Sequence, residues 1–468
     1  MNELVLASAS RQLELIQSGS VSVVELAEAH IRQIERLNPA VNALVDFDPE
    51  RVRAQARQLD LITQHGLLHG LPVTIKSSIS TAGYRCEIGS ELNRGNIPSE
   101  DATVVARLRA AGALILGTTN CSEFLMAYET ANLLHGRTAN PWDLERSPGG
   151  SSGGESAAIA ACMSAAGLGS DSGGSVRQPA HFTGICSFKP TPGRIPERGH
   201  LPPCVGPFST LGAIGPMART IEDVSLLFEV LSGPDSIDPA GAPVAFHKPG
   251  EASLRERAVG YFEDDGLVPV TAETRQVIRD SVNVLRDSGF RVEPFRPRSL
   301  EPLRKLWWKL FVQCGAMFYE PAIRGERSLL SPIFHEFLSI AEASGELSAT
   351  DILNAWAELD VLRSHMLHEM QSHPILLCPV ASIPAFRHGE RSWLIDGQRV
   401  DYLDAVRHTQ WFNVLAAPAA VVPVGHSPEG LPIGVQIAAR PYEDEFALGV
   451  ASVLDKVFGY RPPPLAIS

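Results

Sequence analysis

The sequence predicts an α/β fold, a large mixed β-sheet covered by helices on both faces. Three observations predict it. Short apolar runs of strand length alternate with segments of helical periodicity along the 468-residue chain. Apolar residues make 44% and charged residues 20% of the composition, the balance of a globular chain rather than a disordered one. Gly (39) and Pro (35) together exceed their usual share, which points to many shaped turns.

The elements follow in order. Ser22 and Glu25 form a capping box, and Val23, Leu26, Ala27, Ile31, Ile34 and Leu37 follow at helical spacing, with Asn38-Pro39 as the expected end. Residues 70–75 read as a short buried strand leading into Lys76. Residues 102–111 read as a helix and 113–117 as a strand. A Pro/Gly/Ser loop fills 147–154, and 155–166 reads as a helix of small residues capped by Ser152, with Glu155 at the third position. Residues 233–255, rich in Pro, Gly, Asp and Ala, predict a surface crossing. A strand (258–262), a helix (271–288) and a strand (290–294) come next. The aromatic-rich stretch 303–344 reads as helical, 351–371 as an amphipathic helix, and 375–379 and 420–424 as strands. Neither a repeat nor a linker interrupts the pattern. The expectation is a single domain over 1–468, with a catalytic core at about 60–220 and a helical cap at about 300–350.

Composition excludes several functions. The formal charge of −13 argues against a nucleic-acid or anionic-membrane surface, which needs a basic face. The seven cysteines are scattered and contain no CxxC pair, so a zinc ribbon or disulfide framework is not supported and reduced thiols in a cytoplasm fit. Met1-Asn2-Glu3-Leu4 has no basic or apolar region of a signal peptide, and no 18-residue apolar run predicts a membrane span. The 14 histidines contain no HExxH. No metal and no cofactor is expected.

The densest chemistry lies in two Gly/Ser loops that flank the small-residue segment. They read Ser147-Pro148-Gly149-Gly150-Ser151-Ser152-Gly153-Gly154-Glu155 and Gly169-Ser170-Asp171-Ser172-Gly173-Gly174-Ser175-Val176-Arg177. Glycine removes the Cβ barrier, so successive backbone N–H groups can converge on a phosphate or an oxyanion. Neither loop matches GxxxxGK[ST] or a GxGxxG after a strand. Gly149-x-Ser151-x-Gly153 matches the nucleophile-elbow string, but Ser147-Pro148 precedes it instead of a strand. Asp171-Ser172-Gly173-Gly174 echoes chymotrypsin-like proteases, an all-β and usually disulfide-bonded fold that this chain does not share. Hydroxyl nucleophilic catalysis is the reading that survives, and Asp171 and Arg177 are expected to pair and hold their loop.

Together with Gly70-Leu71-Pro72-Val73-Thr74-Ile75-Lys76, these loops resemble the amidase signature family. Further similarity lies in Gly117-Thr118-Thr119-Asn120, Gly136-Arg137-Thr138, Phe188-Lys189-Pro190-Thr191, Gly215-Pro216-Met217-Ala218-Arg219, Pro418-Ala419 and Gly430-Leu431-Pro432-Ile433-Gly434-Val435-Gln436. The resemblance spans nearly the whole chain. It implies a Ser-cisSer-Lys triad, with Ser175 as nucleophile, Ser151 bridging through a cis peptide, and Lys76 as base. It also implies an oxyanion hole from the backbone of Ser172, Gly173 and Gly174, together with Ser175. The chemistry agrees, since burial after an apolar strand favours the neutral lysine that a serine hydroxyl needs as proton acceptor. Many family members carry Asp after the Lys, whereas Ser77-Ser78 stands here.

The resemblance therefore implies a cytoplasmic amidohydrolase that cleaves a carboxamide C–N bond through a serine acyl-enzyme. Its expected partners are a small-molecule amide and a second copy in a homodimer. One alternative is the glutaminase subunit of a tRNA-dependent amidotransferase, but its usual Arg-Tyr-Asp-Gly-like and Arg-Arg-Ile…Gly-Thr-Tyr stretches are missing here. The other is a catalytically silent binding protein on the same fold. Trp307, Phe311 and Phe318 share a face by spacing and are candidates for an apolar substrate wall, against the reading of a plain core stripe.

Overall fold

The computed structural model describes residues 3–62 and 66–467, so Met1 and Asn2 of the N-terminal reading lie outside the described residues. Eleven strands form one sheet: β1 (Leu44–Phe47), β2 (Pro72–Lys76), β3 (Leu114–Thr119), β4 (Ala166–Asp171), β5 (Cys186–Lys189), β6 (Ala213–Ala218), β7 (Val259–Tyr261), β8 (Val292–Pro294), β9 (Ile375–Pro379), β10 (Ala419–His426) and β11 (Pro432–Ala439). Their spatial order is β1-β3-β2-β4-β6-β5-β10-β11-β9-β7-β8. β2 runs parallel to β3 and β4, and β7 runs parallel to β8 and β9. The central run from β4 to β9 pairs antiparallel, as does β1 on β3. The sheet is mixed, as the alternating pattern predicts.

β2, β4 and β6 are buried along their full length because helices cover both faces. Strand alternation sorts the side chains. Ile115 of β3 joins Val73, Ile75 and Leu168 under helices Thr103–Ala110 and Ile221–Leu231. Leu114 and Leu116 point the other way, into a core with helices Val23–Val41, Pro49–Asp60 and Gly153–Ala160.

Three expectations need correction. Helix Val23–Val41 keeps its Ser22/Glu25 capping box but runs past Asn38-Pro39, with Pro39 in its last turn. The chain turns instead at left-handed Asn42, while the Asn38 side chain accepts the N–H groups of Ala43 and Leu44. The small-residue helix ends at Ala160 rather than 166, and residues from Ala166 onward form β4. A continuous apolar run cannot by itself separate helix from strand; left-handed Cys162 closes the helix, with Met163 N–H donating back to Ala158. Ser152 occupies the N-cap position, but its side chain caps nothing and Glu155 closes no capping box.

The stretch 303–344 is largely helical, in several pieces. It divides into Leu300–Trp307, a wider π turn at Trp308–Gln313, Cys314–Ile323, and Pro332–Ala343. Gly325 at φ 86° breaks it, and Ser331 and Pro332 restart it as N-cap and first helical residue.

Candidate active site

Lys76 ends β2, between β3 and β4, and is fully buried. Its Nζ donates to Ser151 Oγ at 2.7 Å and to Ser170 Oγ at 3.2 Å. Burial penalises the ammonium and lowers its pKa to about 8, against the opposing pull of Cys121, Asp171 and Glu155. Glu155, from the helix behind the first loop, accepts hydrogen bonds from Thr74 Oγ1 and, at 2.8 Å, from Thr119 Oγ1. Burial pushes its pKa up to about 8, so near neutrality it is mostly protonated. β4 passes at Gly167, where a Cβ would lie 1.9 Å from Glu155 Oε1. Only glycine leaves room for this carboxyl.

The two Gly/Ser loops are joined directly. The Gly150–Ser151 peptide is cis. Ser152 N–H donates to Ser175 O at 3.2 Å, and Ser170 N–H donates to Ser152 Oγ at 3.3 Å. Asp171, ending β4, accepts from Gly174 N–H (2.8 Å) and Val176 N–H (3.2 Å). It also pairs with Arg177 through Nε (3.0 Å) and Nη2 (2.9 Å), as the sequence leads one to expect. Burial alone would raise the Asp171 pKa, but the adjacent guanidinium holds the carboxyl well below the usual carboxylate range. Asn413 and Gln436 complete the cluster by accepting from Arg177 at 2.6 and 3.2 Å.

The loop carbonyls are held from outside. Trp307 Nε1–H donates to Ser172 O at 2.9 Å. Tyr128 Oη–H and Thr409 Oγ1–H both donate to Gly173 O, at 2.8 and 2.6 Å. In a trans peptide the carbonyl and the following N–H point in opposite directions, so anchoring Ser172 O outward turns the Gly173 N–H inward. The N–H groups of Ser172, Gly173 and Ser175 have no acceptor among the described residues. Gly174 differs from the sequence expectation, because its N–H is engaged by Asp171.

Ser175 lies where two cavities meet. One is apolar and bordered by Met126, Trp307, Phe311, Phe337 and Leu403 as well as Ser175. The other also takes in Ser151, Ser170, Ser172, His200 and Cys204. Ser151 and Ser175 thus share a cavity, although their hydroxyls do not hydrogen-bond to each other among the described contacts. Trp307 and Phe311 stack at 4.8 Å and line the apolar cavity. Phe318 lines neither cavity; it is 42% exposed and packs edge-on to Phe208, because the π turn and the following helix rotate it outward. Sequence reasoning did not single out Ser170, Tyr128, Thr409, Asn413 or Gln436 as site residues. Ser170 and Gln436 stood inside quoted motifs, while Tyr128, Thr409 and Asn413 carried no local signal.

The sequence model for "Amidase" matches residues 25–448. The chain belongs to the amidase family. It is an amidase, an enzyme that hydrolyses amide bonds. This amidase is 33% identical over 456 residues to an indoleacetamide hydrolase of Bradyrhizobium diazoefficiens, covering 95% of this chain and 85% of that one. It is 32% identical over 479 residues to the A subunit of the glutamyl-tRNA(Gln) amidotransferase of Symbiobacterium thermophilum, covering 96% of each. Among solved structures it superposes on 6-aminohexanoate cyclic dimer hydrolase with a TM-score of 0.86 at 26% identity, covering 99% of each chain.

Proposed function

We propose that this amidase cleaves carboxamides that carry a largely apolar group and no carboxylate, through an acyl-enzyme on Ser175. The observation that carries this reading is the 2.7 Å contact from buried Lys76 Nζ to Ser151 Oγ, in a cavity that Ser175 also lines. Neutral Lys76 accepts the Ser151 proton as Ser151 accepts that of Ser175, whose Oγ adds to the amide carbon. The N–H groups of Ser172, Gly173 and Ser175 receive the oxyanion. The C–N bond breaks as the proton returns through Ser151 to the leaving nitrogen, and the amine or ammonia departs. Water, deprotonated by the same pair, attacks the ester and releases the carboxylate.

Substrates without a carboxylate are favoured because neither cavity has an Arg or Lys among its lining residues, and most of that lining is apolar. Glutamine would bring an α-carboxylate with no cation to meet it, which weighs against the glutaminase alternative despite the amidotransferase relative. We further read the chain as one catalytic unit, with the helices of 300–343 as a cap, acting in the cytoplasm as a homodimer. All seven cysteines are free, and among the described residues no helix is long and apolar enough to cross a membrane. The test is turnover of an amide panel (arylalkyl amides, anilides, acetamide, glutamine) by wild type and Ser175→Ala. Arylalkyl amides should lead, with activity lost in the variant. Glutamine alone as substrate, or no turnover at all, would overturn the reading.

A further inference from the structure

We propose that Glu336 is the polar end of a substrate subsite, and that it selects carboxamides whose apolar group ends in a hydrogen-bond donor, an ammonium most strongly. This rests on the amide-hydrolase reading above and names the substrate class of the same site. Ser175 and Glu336 border one cavity, whose other walls are almost entirely apolar. Glu336 sits on helix Pro332–Ala343, between the cavity-lining Ile333, Phe337 and Ile340. It is therefore the only residue with a formal charge among those lining the cavity.

The cavity's other polar side chains already serve the protein. Tyr128 Oη–H and Trp307 Nε1–H donate to loop carbonyls, and Tyr402 Oη accepts from Tyr128 N–H at 2.8 Å. Glu336 has capacity to spare. A carboxylate offers about four acceptor positions, and its one protein donor is Arg391 Nε, at 2.9 Å from Oε1 and 3.0 Å from Oε2. Arg391 is itself divided, since its Nη1 donates to Glu129 Oε2 at 3.0 Å. One guanidinium thus faces two carboxylates. Glu129 is turned to His388 Nδ1 and Gly389 N–H, which leaves Glu336 as the carboxylate that faces the cavity. A bound group ending in a donor would complete this set, whereas a carboxylate end would meet repulsion and a methyl end would leave the spare acceptor positions unfilled.

The experiment uses three arylalkyl amides of matched length, ending in aminomethyl, ethyl and carboxylate groups. Wild type should favour the aminomethyl amide over the ethyl amide in kcat/KM by about tenfold, and the carboxylate amide should rank last. Glu336→Gln should bring the aminomethyl-to-ethyl ratio near one, and Glu336→Asp should retain part of it. The ratio is internal to each variant, so a smaller folded fraction lowers both terms alike. A wild-type ratio of one or less, or an unchanged ratio in Glu336→Gln, overturns the proposal. Cleavage of all three amides without preference defeats this inference alone. No cleavage of any amide, with wild type indistinguishable from Ser175→Ala, defeats the amide-hydrolase reading and this one with it.

Discussion

The indole N–H of Trp307 donates to the carbonyl oxygen of Ser172 at 2.9 Å, while the same ring stacks on Phe311 at 4.8 Å in the wall of the apolar cavity. One side chain therefore does two things: it walls the cavity beside Ser175, and it orients the peptide that presents the Gly173 N–H. There is no slack between them, since a Cβ on Gly173 would lie 2.7 Å from the indole ring.

Trp307→Phe keeps an aromatic wall and removes the donor. With acetamide, too small to fill the apolar cavity, kcat should fall about tenfold with little change in KM, because the loosened peptide carries a transition-state donor. Trp307→Ala should in addition change the ranking of bulky amides. A loss confined to KM for bulky amides would make Trp307 a wall and nothing more.

The pH profile follows Lys76. In the proposed mechanism the neutral amine is the base, and burial lowers its pKa to about 8. Activity should therefore rise with pH along a single limb centred near pH 8 and level off above it. Lys76→Ala should remove the limb and cut kcat by orders of magnitude. Lys76→Arg should fail to rescue it, because guanidinium stays protonated. Glu155→Gln keeps partners for Thr74 and Thr119 but removes the negative charge that Glu155 gains around pH 8 and that favours the ammonium, so the limb should move to lower pH. Near-wild-type turnover by Lys76→Arg would refute the base assignment.

Asp171→Asn leaves Arg177 buried without its carboxylate and weakens the hold on Gly174 and Val176. Breaking a buried pair by removing one partner costs roughly 3–5 kcal/mol. Urea denaturation should show a loss of that order, and kcat should drop in whatever protein remains folded. A variant of unchanged midpoint would mean that the Asn413 and Gln436 contacts suffice for Arg177.

Fluorophosphonate labelling with peptide mapping should place the label on Ser175. Ser152 is fully buried with its hydroxyl turned to Ser170. A label on Ser172 that survives Ser175→Ala would reassign the nucleophile.

Much of this could be read locally. The Ser22/Glu25 box, the strand ending in Lys76, and the salt-bridged loop of Asp171 and Arg177 each depend on residues a few positions apart. Glu155 shows where local reading misleads. At three residues after Ser152 it has the spacing of a capping box, yet its carboxyl binds Thr74 and Thr119, which adjacent parallel strands bring over it. Phe318 shows the same limit, since helical spacing aligned it with Phe311 until the π turn rotated it away.

The sequence by itself determined the fold class, the family, and the candidate groups Lys76, Ser151 and Ser175, because hydrophobic period and glycine-rich loop chemistry are short-range properties. Tertiary structure alone decided which N–H groups in the second loop remain free and which side chains wall the cavity beside Ser175. Those outcomes depend on Tyr128, Trp307, Thr409 and Asn413, which reach the loop from up to 242 residues away. Such partners meet only because the strand order sets β4 between β2 and β6, with the C-terminal strands folded back beside them. That order is a property of the whole sheet, and no local run of residues encodes it.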